Sequence, residues 1–204
     1  TPASRRSSPG RRAARTAGLR ARIYLEVFGL DDAELPATIR RLGSRLERLR
    51  REFEAAPATA SGHATPVAAD LPVEWGISPH APYTVPPRLY REAARFARRA
   101  GLRMATHLAE SEAEVEMLTK GAGAIAKAYK AAHLWKRQRW TPPGTSPVHY
   151  VAGTGALGPD MLAVHVVQVD AADIATLAAT GTAVAHCPLS NRRLRCGVAP
   201  VAEM

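Results

Sequence analysis

The stretch GLRMATHLAESEAE, residues 101–114, decides the fold because it contains a complete transition from strand to helix. Its part RMATHLA, residues 103–109, is a short apolar run that is typical of a parallel strand buried on both faces. Gly101 lies where the preceding helix should end. Ser111 and Glu114 have the spacing of a capping box, which predicts that a helix begins directly after the strand. The stretch therefore predicts one βα unit.

Four further apolar runs predict strands on either side of this unit, at residues 22–29, 73–78, 161–167 and 182–188. Amphipathic helical patterns lie between them. The clearest pattern has apolar side chains at three- and four-residue steps: Ile39, Leu42, Leu46 and Leu49. Alternating strands and helices predict a parallel α/β fold. Five βα units are too few for a closed eight-stranded barrel of about 250 residues, so we expect a partial TIM-like (β/α) barrel.

The bulk composition excludes several classes of protein. The 204-residue chain has 46% hydrophobic residues, and no apolar run approaches the ~20 residues that a membrane span needs, so no membrane partner is expected. Only Cys187 and Cys196 could pair, which argues against a disulfide scaffold. We interpret both cysteines as structural, and this cysteine usage favours the cytoplasm.

The net charge of +10 raises the alternative of a basic nucleic-acid-binding protein. Aromatic residues make up only 5% of the chain, too few for an interleaved stacking platform, so no specific nucleic-acid partner is expected. Residues 1–17 are a basic N-terminal segment that we interpret as the remnant of a helix, with an organellar transit peptide as the alternative. Residues 18–204 are assigned to one incomplete catalytic domain.

Three strings place a histidine at or just beyond the end of a predicted strand: SPHAPYT (78–84), THLAES (106–111) and AHCPLSN (185–191). Together they resemble the amidohydrolase superfamily, specifically its cytosine deaminase-like and chlorohydrolase-like branch, which includes methylthioadenosine/S-adenosylhomocysteine deaminase and aminofutalosine deaminase. The resemblance runs from about residue 18 to residue 204 and implies strands three to seven of the eight in a (β/α) barrel.

The resemblance implies a role for each of five residues. His107 would bind a divalent metal, zinc or alternatively iron, and Glu110 would relay a proton and contact a ring nitrogen of the substrate. His165 would bind the metal or hold the attacking water. His80 would form a hydrogen bond with the substrate, and His186, near the pocket, would also bind the substrate. The implied reaction hydrolyses a C–N bond in a small, amine-bearing heterocycle such as an adenine nucleoside derivative.

Each of these residues also has a structural interpretation. His107 could be an ordinary histidine at a strand end, and Glu110 an acid favoured by a helix dipole. A histidine in an apolar run such as LAVHVVQVD is often a satisfied core residue, which is the alternative for His165. His80 could be a solvated turn residue. For His186, as for Asn191 and for Glu26 near the end of the first strand, a structural role is as well supported as a functional one.

The family pattern is incomplete in this chain. The family places a His-x-His pair after its first strand and an aspartate after its eighth, whereas the seven histidines here include no pair two positions apart and the last aspartate is Asp173. A catalytic zinc normally has about three protein ligands. We therefore expect the chain to be a central fragment that is inactive and poorly soluble alone, with a non-catalytic remnant as the alternative and a homo-oligomer left open.

Overall fold

The computed structural model describes residues 19–29, 31–54, 73–134 and 141–204. The strands of this part are β1 (Ala21–Val27), β2 (Val73–Pro79), β3 (Arg103–Leu108), β4 (Met161–His165) and β5 (Ala183–Ala185). The helices are α1 (Leu35–Glu54), α2 (Pro87–Arg99), α3 (Glu112–Lys120), α4 (Gly123–Ala131), α5 (Pro147–Ala152), α6 (Ala171–Thr180) and α7 (Pro188–Leu194). The predicted basic segment, residues 1–17, lies outside the described residues.

The strands form one parallel sheet in which each strand pairs with the next one in the chain, in the order β1-β2-β3-β4-β5. A doubly wound sheet would reverse its strand order at a switch point. Consecutive order is the arrangement of strands in a (β/α) barrel. The predicted parallel α/β architecture is therefore confirmed in the described part of the chain.

The core lies on both faces of the central strands. Ile77, Met104 and Ala163, from β2, β3 and β4, are fully buried, which explains why these strands are nearly continuous apolar runs. The helical pattern between β1 and β2 forms α1, where Leu42 and Leu46 are buried as expected. The outer strands β1 and β5 are less buried than the three between them.

Two predicted strands extend less far than their apolar runs. The run at 161–167 ends as a strand at His165, because His165 and Val166 have positive φ angles of 79° and 47°. The run at 182–188 forms a strand only over Ala183–Ala185, and Pro188 then begins α7. Proline suits the first turn of a helix because its missing N–H has no helical partner there. The string AHCPLSN therefore ends in a helix.

The strand register aligns the carboxyl ends of the sheet. Val27 pairs with Pro79, and Leu108 pairs with His165. The alignment continues beyond β2, since the backbone N–H of His107 donates to the carbonyl of His80 over 2.8 Å. Residues that end or follow neighbouring strands are thus brought to one edge, where a (β/α) barrel places its chemistry.

Candidate functional site

Four residues singled out from the sequence lie together at this edge: His80, His107, Glu110 and His165. The ring centroids of His107 and His165 are 5.2 Å apart in a stacked arrangement, and those of His80 and His107 are 5.2 Å apart and edge-on. The sheet thereby brings residues of the strings SPHAPYT and THLAES together with His165, the histidine at the end of β4.

The tightest contacts in the cluster surround the Nε2 atom of His165. It lies 3.1 Å from Nδ1 of His107 and 3.4 Å from Oε1 of Glu110. Two imidazole lone pairs repel at this distance unless a proton or a cation lies between them. Imidazole nitrogen and carboxylate oxygen are both ligands of zinc and iron. These residues form a group whose donor atoms lie within 4.8 Å of one another, and they could hold a metal ion.

A second group with the same spacing contains Glu26, His80 and His107. Glu26 lies near the end of β1, and its Oε1 is 3.9 Å from Nε2 of His107. His107 therefore belongs to both groups, with one ring nitrogen facing Glu26 and the other facing His165. For Glu26 the sequence left a structural and a functional role equally open, and the structure places its carboxylate beside His107.

The surroundings of His107 and His80 favour neutral imidazoles. Burial lowers the pKa of His107, and the neighbouring rings of His165 and His80 lower it further, against the opposing effect of Glu110 and Glu26. Burial also lowers the pKa of His80. A neutral ring keeps a lone pair, which a metal ligand or a hydrogen-bond acceptor requires.

The loop after β2 fixes the orientation of His80. The hydroxyl of Thr84 donates to the carbonyl of Ala81 over 3.1 Å, so its oxygen accepts the Nδ1–H of His80 over 2.8 Å. Phe28 and Tyr83 pack against the ring, with centroid distances of 4.7 and 6.0 Å. The Nδ1 atom is thus occupied, and Nε2 is the nitrogen left for a ligand.

A buried carboxylate, Glu114, supports the turn that carries Glu110. Its oxygens accept the backbone N–H groups of Ala109 and Glu110 at 3.1 and 2.9 Å. The predicted capping box at Ser111 is half present, because the Ser111 hydroxyl accepts from the N–H of Glu114 while the Glu114 carboxylate reaches further back. Burial raises the pKa of Glu114 to about 8 against these hydrogen bonds. The spacing in the sequence predicted the helix cap at Ser111. It did not indicate that Glu114 holds the backbone N–H of Glu110.

The residue that holds His165 comes from α7. Nδ1 of His165 and Oδ1 of Asn191 are 2.8 Å apart, and both side chains are buried. An amide oxygen only accepts, so this contact is a hydrogen bond when Nδ1 of His165 carries the proton. In that tautomer the ring nitrogen that faces His107 and Glu110 is unprotonated.

His186, the remaining residue assigned from the sequence, is exposed after β5 and belongs to neither metal-ligand group found among the described residues. Its predicted place near the pocket stays a prediction. The other histidines within the described part, His133 and His149, are exposed. Trp135 and Trp140 lie outside the described residues.

Comparison with known proteins identifies the family. The sequence profile of the amidohydrolase family matches residues 29–204. The chain belongs to this family. The 5-methylthioadenosine/S-adenosylhomocysteine deaminase of Symbiobacterium thermophilum is 36% identical over 162 residues, which is 79% of this chain and 30% of that protein. The aminodeoxyfutalosine deaminase of Deinococcus radiodurans is 37% identical over 127 residues, 60% of this chain and 30% of that protein.

Solved amidohydrolase structures share the fold. A zinc-bound adenosine deaminase from Xanthomonas campestris superimposes with a TM-score of 0.62 at 21% identity, covering 94% of this chain and 36% of that one. Helicobacter pylori aminofutalosine deaminase gives a TM-score of 0.63 at 18% identity, covering 91% and 42%. The predicted partial TIM-like barrel is therefore confirmed, and the chain spans about a third of the length of these relatives. The family is metal-dependent, and this amidohydrolase chain has residues that could hold a metal.

The helices of the described ranges include none whose length and apolar character would suit a membrane span.

Proposed function

We propose that the full-length protein is a metal-dependent deaminase that hydrolyses the C–N bond of an amino-substituted ring, with an adenine nucleoside derivative as substrate. The observation that carries the proposal is the convergence of His107, His165 and Glu110 at the carboxyl edge of a parallel sheet. Support for the substrate class comes from relatives named as deaminases of 5-methylthioadenosine, S-adenosylhomocysteine and 5'-deoxyadenosine.

His107 and His165 would hold the metal, zinc or alternatively iron. The residues fit such an ion because the lone pair of His165 Nε2 faces His107, and a lowered pKa keeps the His107 ring neutral. A bound ion of this kind polarises the substrate and lowers the pKa of the reacting water.

Glu110 would move the proton. In hydrolytic deamination, water adds to the ring carbon that bears the amino group, the C–N bond breaks, and ammonia leaves behind a carbonyl group. Glu110 would relay two protons in turn: its Oε1 would pass one from the attacking water to the ring nitrogen as the C–O bond forms, and then one from the resulting hydroxyl group to the amine as the C–N bond breaks and the carbonyl forms. Glu114 supports this role because it holds the backbone N–H of Glu110 in place.

His80 would orient the substrate through Nε2, since Thr84 occupies its Nδ1. We also propose a substrate contact for His186, which lies one residue beyond β5 at the carboxyl end of the sheet. We place the protein in the cytoplasm, because Cys187 and Cys196 are both free thiols.

The decisive experiment is ammonia release from 5'-methylthioadenosine, S-adenosylhomocysteine and 5'-deoxyadenosine by the zinc-loaded full-length protein. We expect turnover of at least one of them, and a loss of about 10²- to 10⁴-fold in Glu110→Gln with the zinc content unchanged. Glu112→Gln, an exposed change two residues away, should keep full turnover. Turnover that survives Glu110→Gln would remove Glu110 from the reaction, and turnover of none of the three compounds would refute the proposed substrate class.

A further inference from the structure

Helix α7 buries an amide and exposes its leucines. Asn191 is 1% exposed, whereas Leu189 and Leu194 are 71% and 63% exposed. A position kept only for packing would hold an apolar side chain, because burying an amide costs free energy when its polar atoms are not all hydrogen-bonded. The Nδ2 atom of Asn191 has no hydrogen-bond partner among the described residues. Stability alone therefore does not explain an asparagine at this place.

We propose that Asn191 is a positioning residue that fixes the tautomer of His165. The proposal deepens the proposed function, on which it rests, by adding a residue that acts through His165. The 2.8 Å contact between Asn191 Oδ1 and His165 Nδ1 places the ring proton on Nδ1, since an amide oxygen cannot donate. Both side chains are buried, so water does not compete for the contact.

The tautomer of His165 decides whether its Nε2 atom can bind a metal or accept a proton. With the proton on Nδ1, the lone pair of Nε2 faces Nδ1 of His107 and Oε1 of Glu110. The opposite tautomer would point an N–H into the same space, where it could neither bind a metal nor accept a proton. Histidine ligands of metals usually donate their second ring N–H to a fixed acceptor, which sets the orientation of the ring.

His80 has the same arrangement, because the oxygen of Thr84 accepts its Nδ1–H. Two histidines, one directly after β2 and one at the end of β4, thus each have an acceptor at Nδ1. Thr84 is four residues from its histidine, and Asn191 is 26 residues from its own. An oxygen within hydrogen-bond distance of Nδ1 thus occurs at both histidines of the site.

The test is two-dimensional NMR of the full-length protein with ¹⁵N-labelled histidine, which reports the protonated nitrogen of each neutral ring. We expect the proton of His165 on Nδ1. Asn191→Leu, which replaces the amide by an apolar side chain of similar size, should remove the preference for Nδ1. Asn191→Asp keeps an acceptor oxygen and should restore it.

Two further measurements separate positioning from a merely structural role. We expect Asn191→Leu to weaken zinc binding about 10- to 100-fold, as loss of such a partner typically does, while the metal-free variant still unfolds in urea as a cooperatively folded protein. Asn191→Asp should bind zinc within a few-fold of the wild type.

A proton on Nε2 of His165 in the wild-type spectrum would overturn the proposal without any variant, and so would an unchanged tautomer in Asn191→Leu. If the tautomer changes as expected but the wild type binds no zinc, the positioning role stands and the metal part of the proposed function fails.

Discussion

The Nε2 atom of His165 lies 3.1 Å from the Nδ1 atom of His107, although 58 positions separate the two residues in the chain. The contact follows from the pairing of β3 with β4, in which His107 lies beside Val164 and Leu108 lies beside His165. At His165 the backbone leaves the strand with a φ of 79°, an uncommon conformation for a residue with a side chain. Strained backbone of this kind is concentrated at functional sites, which adds to the case for this pair.

The pair predicts that zinc affinity depends on both histidines. His107→Ala and His165→Ala should each weaken zinc binding by about 100-fold or more, because losing even an outer partner of a ligand typically costs about 10- to 100-fold. Isothermal titration of zinc into the full-length protein gives the measurement. His133→Asn is a suitable control, because His133 is exposed with a φ of 55° that asparagine tolerates. Equal affinity in all three variants would contradict a site built on this pair.

Glu114 predicts a specific pH dependence of stability. Burial raises the pKa of its carboxyl group from 4.5 to about 8, so between these values the folded chain keeps a proton that the unfolded chain has lost. The free energy of unfolding should therefore fall as the pH rises from 4.5 to 8, by up to about 1.4 kcal/mol per pH unit from this group. The stabilising contribution is fully present below pH 4.5 and is lost as the pH passes 8.

Urea denaturation of the wild type and Glu114→Gln at several pH values between 4.5 and 8 measures this contribution. The uncharged glutamine cannot titrate, so the difference in unfolding free energy between the two proteins should change steadily across the window. Glu112→Gln, at an exposed position on the same helix, should follow the wild type. A constant difference between the wild type and Glu114→Gln would show that Glu114 titrates outside this range.

The strands of the sheet can be predicted well from the sequence because each strand is marked by a short apolar run of neighbouring residues. The runs around Ile77, Met104 and Ala163 are apolar since both faces of each strand are buried. His107 and Glu110 are recognisable for a similar reason, because one strand end and one helix start carry both residues. The family resemblance then supplies their expected roles.

The supporting residues are harder to predict, since their contacts depend on the folded register. Nothing next to Asn191 in the sequence indicates that it meets His165, which is 26 positions away on a different element. Glu114 has the spacing of a cap, and only the folded structure shows that its carboxyl oxygens accept the backbone N–H groups of Ala109 and Glu110, which precede Ser111. The ends of β4 and β5 depend on backbone angles that an apolar run does not specify.

A group of serine, histidine and aspartate residues links α5 to α6. We expect this group to stabilise the fold and to take no part in the reaction. Ser146 donates its hydroxyl to the buried carboxylate of Asp173 and accepts the backbone N–H of His149. A nucleophilic serine would instead contact a histidine ring. Asp173 also forms a capping box with Asp170 at the start of α6. Asp173→Ala should therefore lower the free energy of unfolding by about 1–3 kcal/mol.

Ser146→Ala removes one hydrogen bond and one cap, and it should cost about 1 kcal/mol while leaving deaminase turnover of the full-length protein unchanged. Chemical denaturation and the ammonia assay measure the two quantities separately. A loss of turnover in Ser146→Ala without a loss of stability would give this group a part in the reaction.

Thr84 provides the last prediction, because its oxygen holds the Nδ1–H of His80 while its own proton goes to Ala81. Thr84→Val keeps the shape of the side chain and removes the acceptor, so the His80 ring loses its fixed orientation. We expect a rise in KM for the nucleoside substrate of about 10-fold, with kcat changed less, since His80 is proposed to bind substrate and not to transfer the proton. Thr84→Ser retains the hydroxyl and should restore KM. If serine and valine raise KM equally, the methyl group of Thr84 matters through packing and the hydroxyl does not orient His80.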